Sequence, residues 1–357
     1  MQEPGNEKHK RRPHYSGRYP KAFREKYKEL NPERYKDAAA HILAKGGTPA
    51  GTHVPIMVSE ILDFLSITPG QKGLDCTLGY GGHSQKMLEK LDGSGHLYSI
   101  DADPIEIVKT TDRLRGLGYT DAIWTPVHDN FRNIDRICSA YGPFDFVLAD
   151  LGVSSMQIDN PDRGFSWKAD GPLDLRFDPQ KGEPASIRLA SLSRDEIEGM
   201  LADNSDEPYA ADIARGIAKA IRQGKRPETT AQLRDIVSQA VRTSSLSSGL
   251  TGDELREAQK KSCMRTFQAL RIDVNSEFEV LYEFLEKLPG ILVPGGRAAI
   301  LTFHSGEDRM VKKSFRYLED EGIYQKSSRE CLRPSKEECF QNPRARSAKL
   351  RRATREV

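Results

Sequence analysis

A glycine-rich segment, Asp75–His83, contains the residues of this chain that most clearly suggest ligand chemistry. It follows a short apolar run and ends in the pattern GxGGH. Glycines at a strand-to-helix turn let the backbone approach a ligand where a β-carbon would collide. Such turns also occur simply because a helix packs closely on a strand, so the pattern alone predicts a nucleotide-type loop without identifying its ligand.

An acidic residue favours the ligand-binding interpretation of this loop. Asp101 ends the next apolar run, 22 residues after Gly79. In dinucleotide-binding folds, an acid at this place accepts hydrogen bonds from ribose hydroxyls. The alternative is a solvated aspartate at a strand end, which the agreement of spacing and strand context makes less attractive. Sites for NAD and for S-adenosyl-L-methionine (SAM) both combine a glycine-rich loop with such an acid. The sequence has no Walker lysine motif and no GxGxxG in this loop.

A second aspartate follows a later apolar run. The segment Asp150–Ser155 begins where the run Phe144–Ala149 ends. A side chain at this place can face the reactive end of a ligand lying across the edge of a sheet. We interpret Asp150 as the leading candidate at the transferred group, and a helix-capping or turn role is the alternative.

Alternating strands and helices must position these residues. A helical pattern covers Ile56–Leu65. Strand patterns follow at Gly73–Thr77, His96–Asp101, Ala122–Val127, Phe144–Asp150 and Arg297–Ser305. This alternation predicts an α/β fold with a mostly parallel sheet that is covered on both faces.

A long stretch between the last two strand patterns has helical spacing instead. Apolar residues recur in this way in 213–221 and again in 233–241, after the possible N-caps Thr229 and Thr230. Phe278–Leu288 predicts a helix of the parent fold. Because connections at the carboxyl ends of strands border the ligand crevice, we expect the helical stretch to shape a substrate site.

Length and charge restrict the possibilities only broadly. At 357 residues the chain predicts two domains, or one domain with a large insertion. The net charge is +2, so global charge does not indicate a nucleic-acid partner. Residues 1–53, however, have about twice as many basic as acidic residues, with tyrosines interspersed. They predict either an arm that binds RNA through phosphates and stacking, or a solvated tail.

Cysteine usage and hydropathy indicate the compartment. The 5 cysteines are scattered, without a CxxC pair: Cys76, Cys138, Cys263, Cys331 and Cys339. We therefore predict no metal centre and a reducing environment. No apolar run reaches the length of roughly 18 residues that a membrane span needs. The expectation is a soluble, cytoplasmic protein without a membrane partner.

Several short sequence motifs, taken together and in order, closely resemble those of the RsmH (MraW) family. They are Gly79–His83, Ile100–Pro104, Asp150–Ser155, Arg163–Ser166, Asp170–Arg176, Arg265–Arg271, Phe303–Ser305 and Asn342–Ser347. The match extends from about residue 52 to 352. The resemblance implies a class I SAM-dependent methyltransferase, Rossmann-like, with an inserted all-helical domain. It also implies methylation of the N4 amine of one cytidine near the decoding centre, in 16S rRNA of the small ribosomal subunit.

The resemblance also implies which residues contact SAM. In the loop they would be Gly81, Gly82 and His83, with Asp101 at the ribose and Phe131 beside the adenine. Asp150 and Gln157 would lie farther along the cofactor, and Asp150 is also the candidate catalytic residue. Met156 stands where the family usually has proline, which weakens the assignment of Gln157.

The same resemblance suggests an organisation for the whole chain. Residues 1–53 would be an extension, 54–157 and 266–357 the methyltransferase domain, and 158–265 a helical substrate-recognition domain. RNA would enter the cleft between the last two, and no DNA partner is expected. Five arginines are candidate phosphate contacts: Arg163, Arg176, Arg265, Arg344 and Arg346.

Two other functions are compatible with a Rossmann-type sheet. One is a NAD-dependent oxidoreductase, and the other is a noncatalytic ribosome-assembly protein that uses a SAM site only for binding. For a methyltransferase, the fourth-strand segment contains no cysteine. Because C5 methylation of cytosine typically needs a thiolate, direct in-line transfer to an exocyclic amine is the simpler prediction.

Overall fold

A computed structural model describes residues 55–326 and 330–357. The N-terminal extension, residues 1–53, lies outside these ranges, and so does its predicted role as an RNA-binding arm. Pro55–Val357 forms one compact unit. Among the described helices, none is long and apolar enough to cross a membrane.

One mixed sheet carries the fold. Its strands are β1 (Lys72–Asp75), β2 (His96–Asp101), β3 (Trp124–His128), β4 (Phe144–Asp150), β5 (Leu292–Thr302) and β6 (Lys349–Thr354). They lie in the order β3-β2-β1-β4-β5-β6, parallel except for β6, which runs antiparallel to β5. The order reverses between β1 and β4, where open α/β sheets bind ligands. The predicted α/β class, with a Rossmann-like, mostly parallel sheet, is confirmed.

Helices surround the sheet and fill the long connection between β4 and β5. Those described are α1 (Val58–Leu65), α2 (Gly82–Leu91), α3 (Pro104–Gly116), α4 (Ile134–Tyr141), α5 (Ser155–Asp159), α6 (Ala185–Ser191), α7 (Arg194–Ser205), α8 (Ala210–Arg222), α9 (Thr230–Thr243), α10 (Gly252–Asn275), α11 (Glu277–Ile291), α12 (Ser305–Asp320) and α13 (Lys336–Gln341). Helix α9 begins as predicted, because Thr229 caps it and Gln232 completes a capping box.

Both faces of the sheet are buried. Along β4, Val147 and Ala149 join one hydrophobic cluster, while Phe146 and Leu148 join another on the opposite face. Successive side chains of a strand point to opposite faces, so an unbroken apolar run is what a doubly covered strand requires. This burial fixes the strand ends, and with them the loops that carry the candidate residues.

The helical connection has a hydrophobic core of its own. It draws on α6 to α10 and includes Leu189, Ile213, Leu233 and Phe267, each 3% exposed or less. Helix α10 passes through residue 265 without a break. One continuous helix therefore runs through the position predicted as the carboxyl-terminal boundary of the helical stretch.

Candidate functional site

An open cavity lies at the carboxyl edge of the parallel strands. Each of these strands is followed by a residue of its wall: Thr77 after β1, Ala102 after β2, Phe131 after β3, Gly152 after β4 and Glu307 after β5. Of the predicted site residues, Phe131 belongs to this wall, while Asp101 and Asp150 directly precede the wall residues Ala102 and Leu151.

Asp101 holds the glycine loop by its backbone. Its Oδ2 accepts a hydrogen bond of 2.6 Å from the Gly79 amide, and its Oδ1 accepts one of 2.8 Å from the Asp103 amide. Burial raises the pKa of Asp101 to about 7, although these two amide donors oppose the rise. The spacing that linked Gly79 with Asp101 in the sequence therefore corresponds to a direct contact.

Close packing explains the glycines of the loop as well as ligand approach does. Gly81 has a φ of +77°, and a β-carbon there would lie 2.7 Å from Thr110 Cγ2. A β-carbon on Gly82 would lie 3.0 Å from the Pro55 ring. A side chain at Gly81 would therefore strain the start of α2, whatever ligand the loop holds.

His83 and Asp150 lie side by side beneath the loop. His83 Nδ1 is 3.4 Å from Asp150 Oδ2, and its Nε2 is 2.9 Å from the Ile56 carbonyl oxygen. Burial disfavours the imidazolium, yet the hydrogen bond and charge of Asp150 together raise the pKa of His83 above its ordinary value. The pair is therefore an ionic contact whenever His83 is protonated.

Asp150 also has an unused acceptor. Its backbone amide donates to Thr77 Oγ1 at 2.7 Å, which fixes the residue at the end of β4. Its Oδ1 is buried and has no hydrogen-bond partner among the described residues. A buried carboxylate oxygen without a donor is costly, so this atom is suited to a ligand that brings one.

Phe131 offers an apolar surface at the β3 end of the cavity. The half-buried ring packs edge-on against Phe284, with centroids 5.3 Å apart at 80°. Aromatic contacts of this kind hold a ring in one orientation. Phe131 can therefore present a fixed surface to a flat heterocycle.

Gln157 supports the site indirectly, through contacts with Ser154 and Asp103. Its Oε1 accepts from the Ser154 amide at 2.8 Å, completing the capping box of α5, and its Nε2 donates to Asp103 Oδ2 at 2.7 Å. The residue is 7% exposed and is not part of the cavity wall. Its contacts place it behind Asp103, which in turn donates to Asp101.

Asp103 joins this support through a buried ion pair that spacing in the sequence did not reveal. Arg163 Nη1 lies 2.7 Å from Asp103 Oδ2, and Arg163 Nη2 donates to the carbonyls of Arg176 and Phe177. Asp103 also caps α3 through its Oδ1. Arg163 is 7% exposed, so its predicted phosphate contact is replaced by this structural role.

The other predicted phosphate-contact arginines divide into two groups. Arg176 is paired with Asp174, and the exposed Arg344 with Asp159. Within 55–326 and 330–357, Arg265 and Arg346 form no ion pair; Arg346 is exposed and Arg265 half-buried. These two have the most freely available guanidinium groups of the set.

A charged cluster missed by the sequence analysis closes the β5 end of the cavity. Glu277, His304 and Glu307 bring ligand-type atoms within 4.8 Å of one another. Arg271 binds both oxygens of Glu277, at 2.7 and 2.9 Å. Burial opposes ionisation of Glu307, but His304 and Arg271 help to lower its pKa below the ordinary value. Such a trio can ligate a divalent cation, although Arg271 already compensates Glu277.

Comparison with known proteins identifies the family. Residues 50–356 match the model of the MraW methylase family. Ribosomal RNA small subunit methyltransferase H 1 of Lachnoclostridium phytofermentans is 58% identical over 343 residues, covering 96% of this chain and 92% of the relative. Its namesake from Agathobacter rectalis is 58% identical over 347 residues, covering 97% and 98%. Methyltransferase H 2 of Alkaliphilus metalliredigens is 57% identical over 345 residues, covering 97% of each. This chain belongs to the MraW methylase family.

Proposed function

We propose that the protein transfers a methyl group from SAM to the N4 amine of a cytidine in the 16S rRNA of the small ribosomal subunit. The observation that carries this proposal is the pair of aspartates at the carboxyl edge of the sheet. Asp101 ends β2 and holds the glycine loop, while Asp150 ends β4 with a buried oxygen free to accept. Relatives that bear the name of a small-subunit rRNA methyltransferase supply the substrate class.

Phe131 in the cavity wall and groups at the neighbouring strand ends would together hold SAM. Phe131 would lie against the adenine, Asp101 would accept from the ribose, and the loop Gly81–His83 with Asp150 would hold the amino-acid end. Gln157 would contribute through Asp103, from behind this site. When bound, SAM supplies a methyl group on a positively charged sulfur.

The helical stretch 158–265 is proposed to recognise the RNA. It follows β4, on the carboxyl edge where Asp150 lies, and has its own core. Arg265 and Arg346 are the proposed phosphate contacts, because neither has an ion-pair partner among the described residues. The small ribosomal subunit in the cytoplasm would be the partner.

Methyl transfer to purified small subunits tests the function. Subunits from cells lacking the gene would be incubated with labelled SAM, and their nucleosides separated by mass spectrometry. The proposal predicts N4-methylcytidine at one site. SAM and S-adenosylhomocysteine, but not NAD, should raise the melting temperature, because a ligand stabilises the state that binds it. Stabilisation by NAD would favour the oxidoreductase, and SAM binding without transfer would favour the assembly factor.

SAM affinity should depend on pH through Asp101. Ribose hydroxyls donate to the ionised carboxylate, so binding favours loss of the proton from a group whose pKa is about 7. Affinity should therefore rise roughly tenfold between pH 6 and pH 8. Asp101→Asn should lower affinity at pH 8 by about 10- to 100-fold, and should flatten this dependence.

Isothermal titration calorimetry at several pH values measures both effects. Asp63→Asn, which alters an exposed carboxylate on α1, is the matched control and should behave as the unmodified protein. An Asp101→Asn variant with the same affinity and the same pH dependence would show that the ribose lies elsewhere.

Transfer should proceed without a covalent protein–RNA intermediate. Burial raises the pKa of Cys76 well above its ordinary value, raises that of Cys263 to about 11, and also raises that of Cys138. None of these thiols is therefore prepared to act as a thiolate at neutral pH. Small subunits with 5-fluorocytidine at the target should be methylated at an ordinary rate. A stable adduct on denaturing gels, or label at C5, would contradict direct transfer.

A further inference from the structure

The charged cluster at the β5 end of the cavity has not been given a role in the proposed reaction. It consists of Arg271, Glu277, His304 and Glu307, here called the β5 cluster. Glu277 begins α11, while Glu307 lies in the first turn of α12. Both carboxylates belong to the cavity wall. Two acids that face a cavity, Glu277 half-buried and Glu307 buried, are suited to a ligand with hydrogen-bond donors.

The strand order places this cluster beyond the proposed cofactor. Phe131 follows β3, Asp101 ends β2, and Asp150 ends β4. A cofactor held by these residues spans the edge from β3 to β4. Strand β5 is the next neighbour, about 4.8 Å farther along the sheet. The β5 cluster therefore borders the place where the methyl acceptor must lie.

The hydrogen bonds within the cluster orient the two carboxylates. Arg271 holds both oxygens of Glu277, in the fork geometry that fixes a carboxylate plane. Glu307 Oε2 accepts from the Phe303 amide at 2.8 Å, and its Oε1 lies 3.0 Å from His304 Nε2. That nitrogen is buried and has no well-aligned partner among the described residues. Arg271 and the Phe303 amide thus fix the two carboxylates, whereas His304 Nε2 retains unused hydrogen-bonding capacity.

We propose that Glu277 and Glu307 form a clamp for the exocyclic amine of the target cytosine, with Arg271 and His304 as positioning residues. This inference rests on the proposed function. An amine nitrogen about 2.9 Å from two acceptors, with its N–H bonds near 120° apart, requires those acceptors about 5 Å apart. One oxygen of Glu277 and one of Glu307 lie no more than 4.8 Å apart, slightly below this separation.

The clamp distinguishes cytosine from uracil. Carboxylates accept from the N4 amine of cytosine, whereas uracil has a carbonyl oxygen at the corresponding position. Two carboxylates facing that oxygen would receive no hydrogen bond from the base, and their negative charges would repel it. A site built to bind a donor rejects an analogue that lacks it far more strongly than an apolar pocket does.

Two substitutions remove the proposed recognition while retaining the helix start. His304 and Glu307 form the capping box of α12. Glu307→Gln keeps a residue that capping boxes accept, but it removes the charge and one acceptor. His304→Asn keeps a good N-cap and removes Nε2. Glu321→Gln, an exposed change at the end of the same helix, is the matched control.

Competition between cytidine and uridine subunits for binding provides the test. Small subunits carrying uridine at the target position have no N4 amine to methylate, so they would be added as competitive inhibitors of the methylation of normal subunits by each full-length variant. The unmodified protein should bind cytidine subunits about 10- to 100-fold more tightly than uridine subunits. Glu307→Gln should reduce this preference to less than about threefold, and His304→Asn should reduce it partly. SAM affinities of both variants should stay within about twofold of the control, and their melting temperatures should match it.

Each outcome bears on a separate claim. If both variants retain the full preference for cytidine, or weaken binding of both substrates equally, the clamp is wrong although the methyltransferase function stands. If added zinc or manganese raises the melting temperature of the unmodified protein but not of Glu307→Gln, the cluster is a metal site, and the clamp is likewise overturned. If the unmodified protein methylates no small subunits, the proposed function fails, and the clamp that rests on it is overturned as well.

Discussion

Replacing Asp150 with asparagine should lower kcat/KM for small-subunit methylation by about 100- to 1,000-fold, a loss typical of removing one preorganised polar contact from an active site. Asp150 is fixed at the end of β4 because its amide donates to Thr77 Oγ1 at 2.7 Å. Its Oδ1 is buried without a donor among the described residues, so a bound amine or cofactor group can supply one. An asparagine amide keeps the shape but provides only one acceptor and no charge.

The separation of kcat from KM will assign the role of Asp150. If the side chain orients the reacting amine, kcat should fall while the SAM dissociation constant changes by less than about tenfold. If it mainly holds the cofactor, the dissociation constant should carry most of the effect. Asp63→Asn serves as the control, and activity equal to that control would remove Asp150 from the catalytic site.

His83 gives an independent measurement in the same variant. Asp150 is the main group that raises the pKa of His83 against the effect of burial. Without the carboxylate, that pKa should fall, because only the Ile56 carbonyl and Asp75 remain to favour the imidazolium. Imidazole resonances followed by NMR across pH 5 to 8 would detect the change even if activity is too low to measure.

Local patterns were sufficient to predict the centre of the sheet. The apolar runs His96–Asp101 and Phe144–Asp150 coincide with β2 and β4, because strands buried on both faces leave continuous hydrophobic sequence. Thr229 was identified as an N-cap for the related reason that capping depends on residues within one turn. Rules that depend only on residues close together in sequence therefore predicted these two strands and this helix start correctly.

The edge of the sheet was less predictable. Strand β5 begins at Leu292, earlier than predicted, because the chain pairs with β4 on both sides of a register shift. It ends at Thr302, and His304 caps the next helix instead of extending the strand. The pattern search did not identify β6, Lys349–Thr354, since its charged residues resemble solvent-exposed sequence. Edge strands often carry such charges, which discourage pairing with other chains.

Contacts between distant residues account for the remaining differences. Asp103 and Arg163 are separated by 60 residues, and their ion pair forms only when the segment after α5 folds back onto the start of α3. Glu277 and Glu307 likewise meet because α11 and α12 begin at the same end of the cavity. No spacing rule within one element predicts either pair. Arg163 could therefore be assigned to RNA on sequence grounds, although folding buries it.

The Asp103–Arg163 pair should make a large contribution to stability when only one partner is removed. Arg163→Met should lower the free energy of unfolding by about 3 to 5 kcal/mol, because it leaves a fully buried carboxylate without its charged partner. Gln157 still donates to Asp103 Oδ2, but a neutral amide compensates a buried charge less well. Chemical denaturation monitored by circular dichroism measures the change.

A double-mutant cycle separates the pair from the loss of packing. Asp103→Asn removes the charge while retaining a favourable N-cap for α3. Combined with Arg163→Met, it should recover part of the stability, since replacing both partners of a buried pair costs less than removing one. Arg256→Met, which alters an exposed pair, should change the free energy of unfolding by no more than about 1 kcal/mol. If the two single effects add without recovery in the double variant, the charges are not coupled. Arg163 would then stabilise the segment only through its hydrogen bonds to the carbonyls of Arg176 and Phe177.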